Sequence, residues 1–324
     1  MSWIVGVEGI RSAFPDGCAV TMGVFDGVHR GHTALLEATA RWARTHGVPA
    51  VAVTFDPHPA ALLAPQHCPP MLCTLAHRVE RLLQQGIDYV IVQPFTAAFA
   101  QLSAQEFIER VLIRRLQARA VVVGDDFRFG RGREGSVETL RAAGLFEVIV
   151  VASISDESGE RISSTRIRAL IQAGELERAI ALLGEPLHWT GVAVRGDRRG
   201  RGFGYPTANL VPIEPLITPP SGVYACRAQV CLSSLRAAKS DEEQVYPAAV
   251  SVGKPPMFEN ARGRIEAHLI GFADRDLYGR VLTLQFLKRL RPQHPFNSVD
   301  ALLKQMAEDV EQTRQLVQEV QSRR

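Results

Sequence analysis

Apolar and polar positions change their period once along the chain. Short apolar runs at 19–22, 50–55, 89–92, 120–123 and 146–151 are hydrophobic on both faces, as strands of a covered parallel sheet are. Between them lie helical stripes. Residues 33–46 place Leu35, Leu36, Thr39, Trp42 and Ala43 on one face and end at Gly47, a natural C-cap. Residues 75–85 repeat Leu75, Val79, Leu82 and Leu83 and stop at Gly86. Ser103 and Glu106 have capping-box spacing ahead of a helix reaching about residue 117. Ser136 can cap a short helix ending near Gly144, and 162–168 opens another. Strands separated by single helices predict an α/β domain with a parallel sheet.

After Gly184 the helical period gives way to strand-like runs at 190–194, 223–230, 246–252, 265–270 and 281–287, divided by Gly, Pro and charged turns. This pattern predicts an antiparallel barrel or sandwich. One amphipathic helix follows over 299–320, with Leu302, Leu303, Met306 and Val310 on a face. The change of period sets a domain boundary near Glu185 and Pro186, giving domains 1–185 and 186–324. The polar stretch 236–244 reads as an exposed hairpin loop.

Composition narrows the class. A chain of 324 residues exceeds one typical core, at roughly 150 residues per domain. It is 46% hydrophobic and 22% charged, a globular balance. A net charge of +3 gives no bias towards nucleic acid or an anionic membrane. No apolar run spans a bilayer, and the N-terminus lacks a secretory pattern, so a cytoplasmic protein is expected. The five cysteines form no CxxC and have no zinc spacing, which suits reduced, mostly buried thiols.

The first candidate chemistry follows the strand at 19–22. There Gly23-Val24-Phe25-Asp26-Gly27-Val28-His29-Arg30-Gly31-His32 runs into a helix. In open α/β sheets ligands sit at the carboxyl ends of strands. Glycines let backbone approach a phosphate, and the helix N-terminus adds positive potential. Two histidines there can stabilise charge on a transferring group. A zinc pair lacks a third ligand, and packing or capping histidines remain the plain alternative. Thr54-Phe55-Asp56-Pro57-His58-Pro59 follows the second strand and by itself is a proline-stiffened loop. Ile162-Ser163-Ser164-Thr165-Arg166-Ile167-Arg168 starts a helix, where hydroxyls serve as caps or, beside a phosphate site, as donors with a cation one turn on. Gly124-Asp125-Asp126-Phe127-Arg128-Phe129-Gly130 offers carboxylates, a cation and two aromatic faces, either a ring-binding loop or a packed turn.

The second half opens with Gly196-Asp197-Arg198-Arg199-Gly200-Arg201-Gly202-Phe203-Gly204, then Tyr205-Pro206-Thr207-Ala208-Asn209. Gly and Arg interleaved can cradle phosphates or simply make a hairpin. In extended geometry Thr207 and Asn209 point the same way, and two neutral oxygens suit Mg²⁺ that keeps its waters. Glu266 alternates away from Ile265, Ala267 and Leu269. It is either a solvent-facing strand residue or the carboxylate that a phosphotransferase needs to take a hydroxyl proton.

Taken in order, the HxGH segment, the 162–168 segment and the 124–130 loop resemble the HxGH nucleotidyltransferases, and within them the FMN adenylyltransferase domain of prokaryotic bifunctional FAD synthetases. Pro206–Asn209, the strand of Glu266, Asp276-Leu277-Tyr278-Gly279 and Phe286-Leu287-Lys288-Arg289-Leu290-Arg291 resemble the riboflavin kinase domain. The resemblance covers nearly the whole chain. It implies a Rossmann-like α/β nucleotidyltransferase domain with a parallel sheet, then an antiparallel β-barrel kinase domain with a terminal helix. It implies catalytic roles for His29, His32 and Glu266. It implies ATP binding by Gly23, Phe25, Gly31, Ser163, Ser164, Thr165, Arg168, Gly196, Gly200, Arg201, Gly204, Thr207 and Asn209. Flavin binding falls to His58, Asp126, Phe127, Phe129 and Arg291, and Mg²⁺ to Thr207 and Asn209. The small-molecule partners would be riboflavin, FMN and ATP, with no nucleic acid or membrane. One departure stands out: Gly253-Lys254-Pro255-Pro256-Met257-Phe258 carries Met257 where the family has Thr, which would leave a weakened kinase as a second reading. A flavin-binding protein with dead sites would have lost the histidine pair, Thr207, Asn209 or Glu266, and all are present. Another HxGH transferase would leave the second half unexplained.

Overall fold

A computed structural model describes residues 3–10, 14–195, 205–230, 244–253, 264–272 and 277–322. The chain forms two compact units, one of residues 1–69 and 75–164, the other of residues 70–74 and 165–324.

The first unit is built on six parallel strands: β1 (Trp3–Val5), β2 (Cys18–Met22), β3 (Ala50–Asp56), β4 (Tyr89–Pro94), β5 (Ala118–Gly124) and β6 (Glu147–Val151). Their spatial order is β1-β4-β3-β2-β5-β6. The chain steps from β2 to β3 and β4 on one side, then resumes on the other with β5 and β6. The switch point therefore lies between the carboxyl ends of β2 and β5, where open α/β sheets place their ligands. Both faces are covered, and the strand sequences explain how. Ala19, Ala50, Ala52 and Ala120 point to one face, where α1 (Arg30–His46) packs through Leu36, Ala40 and Ala43. Small residues there let the helix approach the sheet. Val20, Val51, Val53 and Val121 point the other way, towards Phe107, Val111, Leu112 and Leu116.

Local chemistry sets the helix ends. Gly47 closes α1 in the left-handed region at φ 66°. The Ser103 hydroxyl accepts from Glu106 N at 3.1 Å while Glu106 accepts from Ser103 N at 3.0 Å, the reciprocal box that the spacing predicts. The helix it opens, Ala104–Glu106, continues in π-helical form over Phe107–Arg115. The remaining helices of this unit include α2 (Pro59–Leu63) and α3 (Leu75–Gln84).

The second unit is a closed barrel of β7 (Leu187–Val194), β8 (Ala208–Pro212), β9 (Gly222–Val230), β10 (Val245–Gly253), β11 (Arg264–Leu269) and β12 (Val281–Arg291). The strands follow the order β10-β11-β8-β7-β12-β9 and every pairing is antiparallel. Of the barrel and the sandwich left open by periodicity, the barrel is what forms. Alternation fills it with Leu282, Leu284 and Phe286 from β12 and with Ile265, Ala267 and Leu269 from β11, all buried. Gly191 is a requirement of packing: a Cβ there would lie 2.5 Å from the Trp189 ring and from Val211 O. The terminal helix Val299–Ser322 lies on β9, β10 and β12. It is tied down by a partly buried ion pair in which Arg291 Nε and Nη2 donate to Asp309 at 3.0 and 2.8 Å.

Candidate functional site

In the first unit, β2 runs out at Met22 and Gly23 N donates to Val53 O at 3.1 Å, keeping the turn over the sheet. The turn uses unusual backbone. Phe25 (φ 51°), Gly27 (φ 78°) and Val28 (φ 39°) are all left-handed, and Phe25 and Val28 are fully buried. A β-branched residue in that region is costly and persists only where its surroundings hold it. The result is that His29 becomes the N-cap of α1 and His32 lies in its first turn. Their rings stack at 3.7 Å and 15°, with the Phe25 ring set edge-on to His32 at 5.2 Å. Gly31 makes room: a Cβ there would meet His29 Cε1 at 3.1 Å and Ile162 O at 3.3 Å. Ser164 Oγ donates to Asp26 O at 3.0 Å, fastening the 162–164 segment to the same turn.

His32 keeps an edge at the surface, but its Nδ1 is buried with no hydrogen-bond partner among the described residues. Desolvation, then the neighbouring His29, then Arg78 push its pKa well below the usual 6.5. At neutral pH it is an uncharged imidazole, able to donate one hydrogen bond to an oxyanion.

The other predicted residues of this half have settled positions. His58 Nδ1 accepts from Ala60 N at 3.0 Å and caps α2. Asp126 pairs with Arg161 at 2.7 Å. Phe127 and Phe129 stack at 5.6 Å; Phe129 is buried against Phe107 and Phe127 is half-buried. Asp125 is held below the ordinary carboxylate range by the Ser153 side-chain hydrogen bond, then by the Ser153 backbone. Thr165 is exposed and Arg168 is buried in the second unit, where Arg168 Nε donates to Pro70 O at 2.8 Å.

In the barrel, Asn209 on β8 stands opposite Glu266 on β11, and Glu266 stands opposite Ser251 on β10. Residues paired this way project from one face. Ala208 and Leu210 turn inward, so Asn209, Glu266 and Ser251 form a polar row on the barrel wall. Asn209 is 7% exposed, and its Oδ1 is buried without a hydrogen-bond partner among the described residues. Thr207 directly precedes β8 and is exposed. The row is braced beyond Ser251: Gln293 Nε2 donates to Ser251 Oγ at 2.7 Å and Ser221 Oγ donates to Gln293 Oε1 at 3.1 Å. Arg291 is engaged by Asp309 and also lies over Phe296. Gly196, Gly200, Arg201, Gly204 and Met257 lie outside the described residues.

Residues 11–166 match the FAD synthetase family and residues 183–317 match the riboflavin kinase family. A bifunctional riboflavin kinase/FMN adenylyltransferase of Escherichia coli K12 is 37% identical over 312 residues, covering 95% of this chain and 96% of the relative. The chain belongs to the bifunctional riboflavin kinase/FMN adenylyltransferase family. Members from Pseudomonas fluorescens and Bacillus subtilis are 34% and 32% identical over 96% and 90% of the chain, and 97% and 89% of their own lengths. A crystal structure described as a macrolide-efflux protein from Streptococcus pneumoniae superposes with a TM-score of 0.82 at 34% identity, covering 97% of this chain and 99% of that one. Among the described residues of this family member, no helix is long and apolar enough to cross a membrane.

Sequence reasoning passed over Arg78, Ser251 and Gln293. Arg78 left a signal, because it interrupts the apolar stripe of Leu75, Val79 and Leu82 on α3. Ser251 and Gln293 left none: each is an ordinary polar residue until register and tertiary structure join them.

Proposed function

We propose that the two activities of this family divide between the two constellations, with the kinase in the barrel and the adenylyltransferase on the parallel sheet. The observation that carries this reading is the separation itself: the stacked histidines lie in one compact unit and the Asn209–Glu266 pair in the other. The family matches, one ending at 166 and the other beginning at 183, support a division into two functional halves, with the boundary at 185/186 falling just inside the second match.

In the kinase half, the riboflavin 5′-hydroxyl attacks the γ-phosphorus of ATP. Glu266 takes the hydroxyl proton, the new O–P bond forms, and the bond to the β-phosphate oxygen breaks to leave ADP. Asn209 Oδ1 and the Thr207 hydroxyl suit Mg²⁺, because a hard cation wants neutral and anionic oxygens and Asn209 offers a buried oxygen beside a carboxylate. When bound, the ion supplies charge neutralisation for the triphosphate. Gly196, Gly200, Arg201 and Gly204 are assigned to the phosphates by resemblance.

In the other half, an FMN phosphate oxygen attacks the α-phosphorus of ATP and pyrophosphate leaves. No covalent enzyme intermediate is needed; positioning and charge stabilisation suffice. The preset turn at Gly23, Phe25 and Gly31 presents His29 and His32 to the phosphates, and by resemblance Ser163, Ser164, Thr165 and Arg168 are assigned to ATP. His58, Asp126, Phe127 and Phe129 are assigned to flavin in this half by resemblance, and Arg291 to flavin in the kinase half. The free thiols of Cys18, Cys68, Cys73 and Cys226 support a cytoplasmic setting, with riboflavin, FMN and ATP as partners and neither nucleic acid nor membrane.

The test is to incubate the purified protein with riboflavin, ATP and Mg²⁺, separate the flavins by chromatography, and repeat with FMN. FMN and FAD from riboflavin support both assignments. FAD from FMN alone removes the kinase and directs attention to Met257. No product in either incubation overturns the reading.

A further inference from the structure

Arg78 carries a charge that neither activity has yet used. It lies on α3, is 2% exposed, and occupies the helix face that Leu75, Val79 and Leu82 turn towards the sheet. Its Nη1 donates to Thr54 Oγ1 at 3.3 Å and to Phe55 O at 3.1 Å, at the carboxyl end of β3. Its Nε is buried with no hydrogen-bond partner, and no carboxylate forms an ion pair with it, among the described residues. A guanidinium cannot shed its proton to escape burial. Burying one without a counter-charge destabilises the fold, and Leu or Met would suit the stripe better. Departures of this kind concentrate at functional sites.

Its surroundings say which site. Thr54 Oγ1, the group Arg78 holds, donates to Val24 O at 2.9 Å within the segment from Gly23 to His32. α3 packs on the 26–28 turn. The positive charge of Arg78 is also close enough to His32 to disfavour its protonation. Arg78 is thus linked to the turn by the Thr54 hydroxyl and to His32 by charge.

We infer that Arg78 is the fixed positive charge of the adenylyltransferase site, an electrostatic positioning residue that stabilises negative charge gathering on the triphosphate and departing pyrophosphate. The division of labour is simple. His32 supplies a directed hydrogen bond, and Arg78 supplies a field that costs no reorganisation during reaction. The inference rests on the assignment of His29 and His32 to that site.

The experiment compares R78M, R78Q, R78K and H32A with the parent enzyme, following FMN-to-FAD conversion across pH and riboflavin phosphorylation by the same chain as the control for folding. R78M should lose about 10²-fold in kcat for FAD formation, and its acid limb should move to higher pH as His32 becomes easier to protonate. R78K should recover to within about tenfold of the parent, on the same footing, and kinase turnover should stay unchanged throughout. If R78M loses kinase turnover or its circular dichroism, R78Q, which keeps hydrogen bonds but no charge, is read in its place. FAD formation at the parent rate in the uncharged variant, or R78K as impaired as R78M, overturns the inference. H32A separates the two levels: a normal rate in H32A removes the site assignment itself, whereas an impaired H32A beside a normal R78M removes only the role of Arg78.

Discussion

Asn209 and Glu266 face one another across β8 and β11, a carboxamide whose oxygen is buried and a carboxylate in the adjacent cross-strand position. The pair joins a group suited to holding a metal–nucleotide complex to one suited to receiving a proton. Glu266→Gln keeps the shape and removes the proposed base. FMN formation from riboflavin should fall by at least about 10²-fold, the usual contribution of general base catalysis. FMN-to-FAD conversion should stay near the parent rate. Flavin chromatography from both substrates checks this, and a kinase that still turns over removes Glu266 as the base.

His32 should make stability depend on pH. Its folded pKa lies well below the 6.5 of an ordinary histidine. Between those two values the unfolded chain binds a proton that the folded chain refuses, so stability rises with pH in that window. The contribution is fully present above about 6.5 and is lost as pH falls towards the folded value. Denaturant unfolding at pH 7.5 and 5.5 should show a loss in the parent that is smaller in H32N. Equal losses in both would mean that other groups govern the slope.

Arg291 and Asp309 set a different test. Asp309 is 4% exposed, and removing it takes the carboxylate from the arginine in the barrel–helix seam. D309A should lose about 1–3 kcal/mol, because Asp309 is buried while the arginine is partly exposed and keeps other partners. Unfolding followed by the fluorescence of buried Trp189 measures it. R291M also probes the flavin assignment: a raised KM for riboflavin with little loss of stability would favour flavin contact, and lost stability at unchanged KM would favour the helix tie alone.

Gly191→Ala should destabilise the barrel by about 1–3 kcal/mol, because the new methyl meets backbone and a buried indole that cannot move aside cheaply. A thermal melt of the variant gives the answer. An unchanged melting temperature would show that β7 and β8 can separate slightly without loss.

Much of this architecture was legible because period and punctuation agreed. Gly47, Gly86 and Gly144 end helices or their loops at positive φ where the stripes end, and Ser103 with Glu106 caps as its spacing predicts. β1 escaped because three residues hold no period. β8 was legible only as extended geometry for Thr207 and Asn209, since it is short and ends at Pro212. The π-helical winding of Phe107–Arg115 leaves the apolar stripe close enough to an α-helix to be read as one. Candidate residues that announce themselves in a motif, such as His29 and His32, could be named beforehand. Arg78 and Gln293 act through partners 24 and 42 residues away in sequence, and that distance hides them.

The left-handed turn at Phe25 and Val28 decides when disorder is lost. Because buried packing already holds this strained backbone, its freedom is surrendered during folding and is not left to be lost when a ligand arrives. On the proposed assignment of this turn to ATP, nucleotide affinity in the first unit is therefore coupled to local stability. Conditions that loosen the turn, such as mild denaturant, should weaken binding before the sheet itself begins to melt.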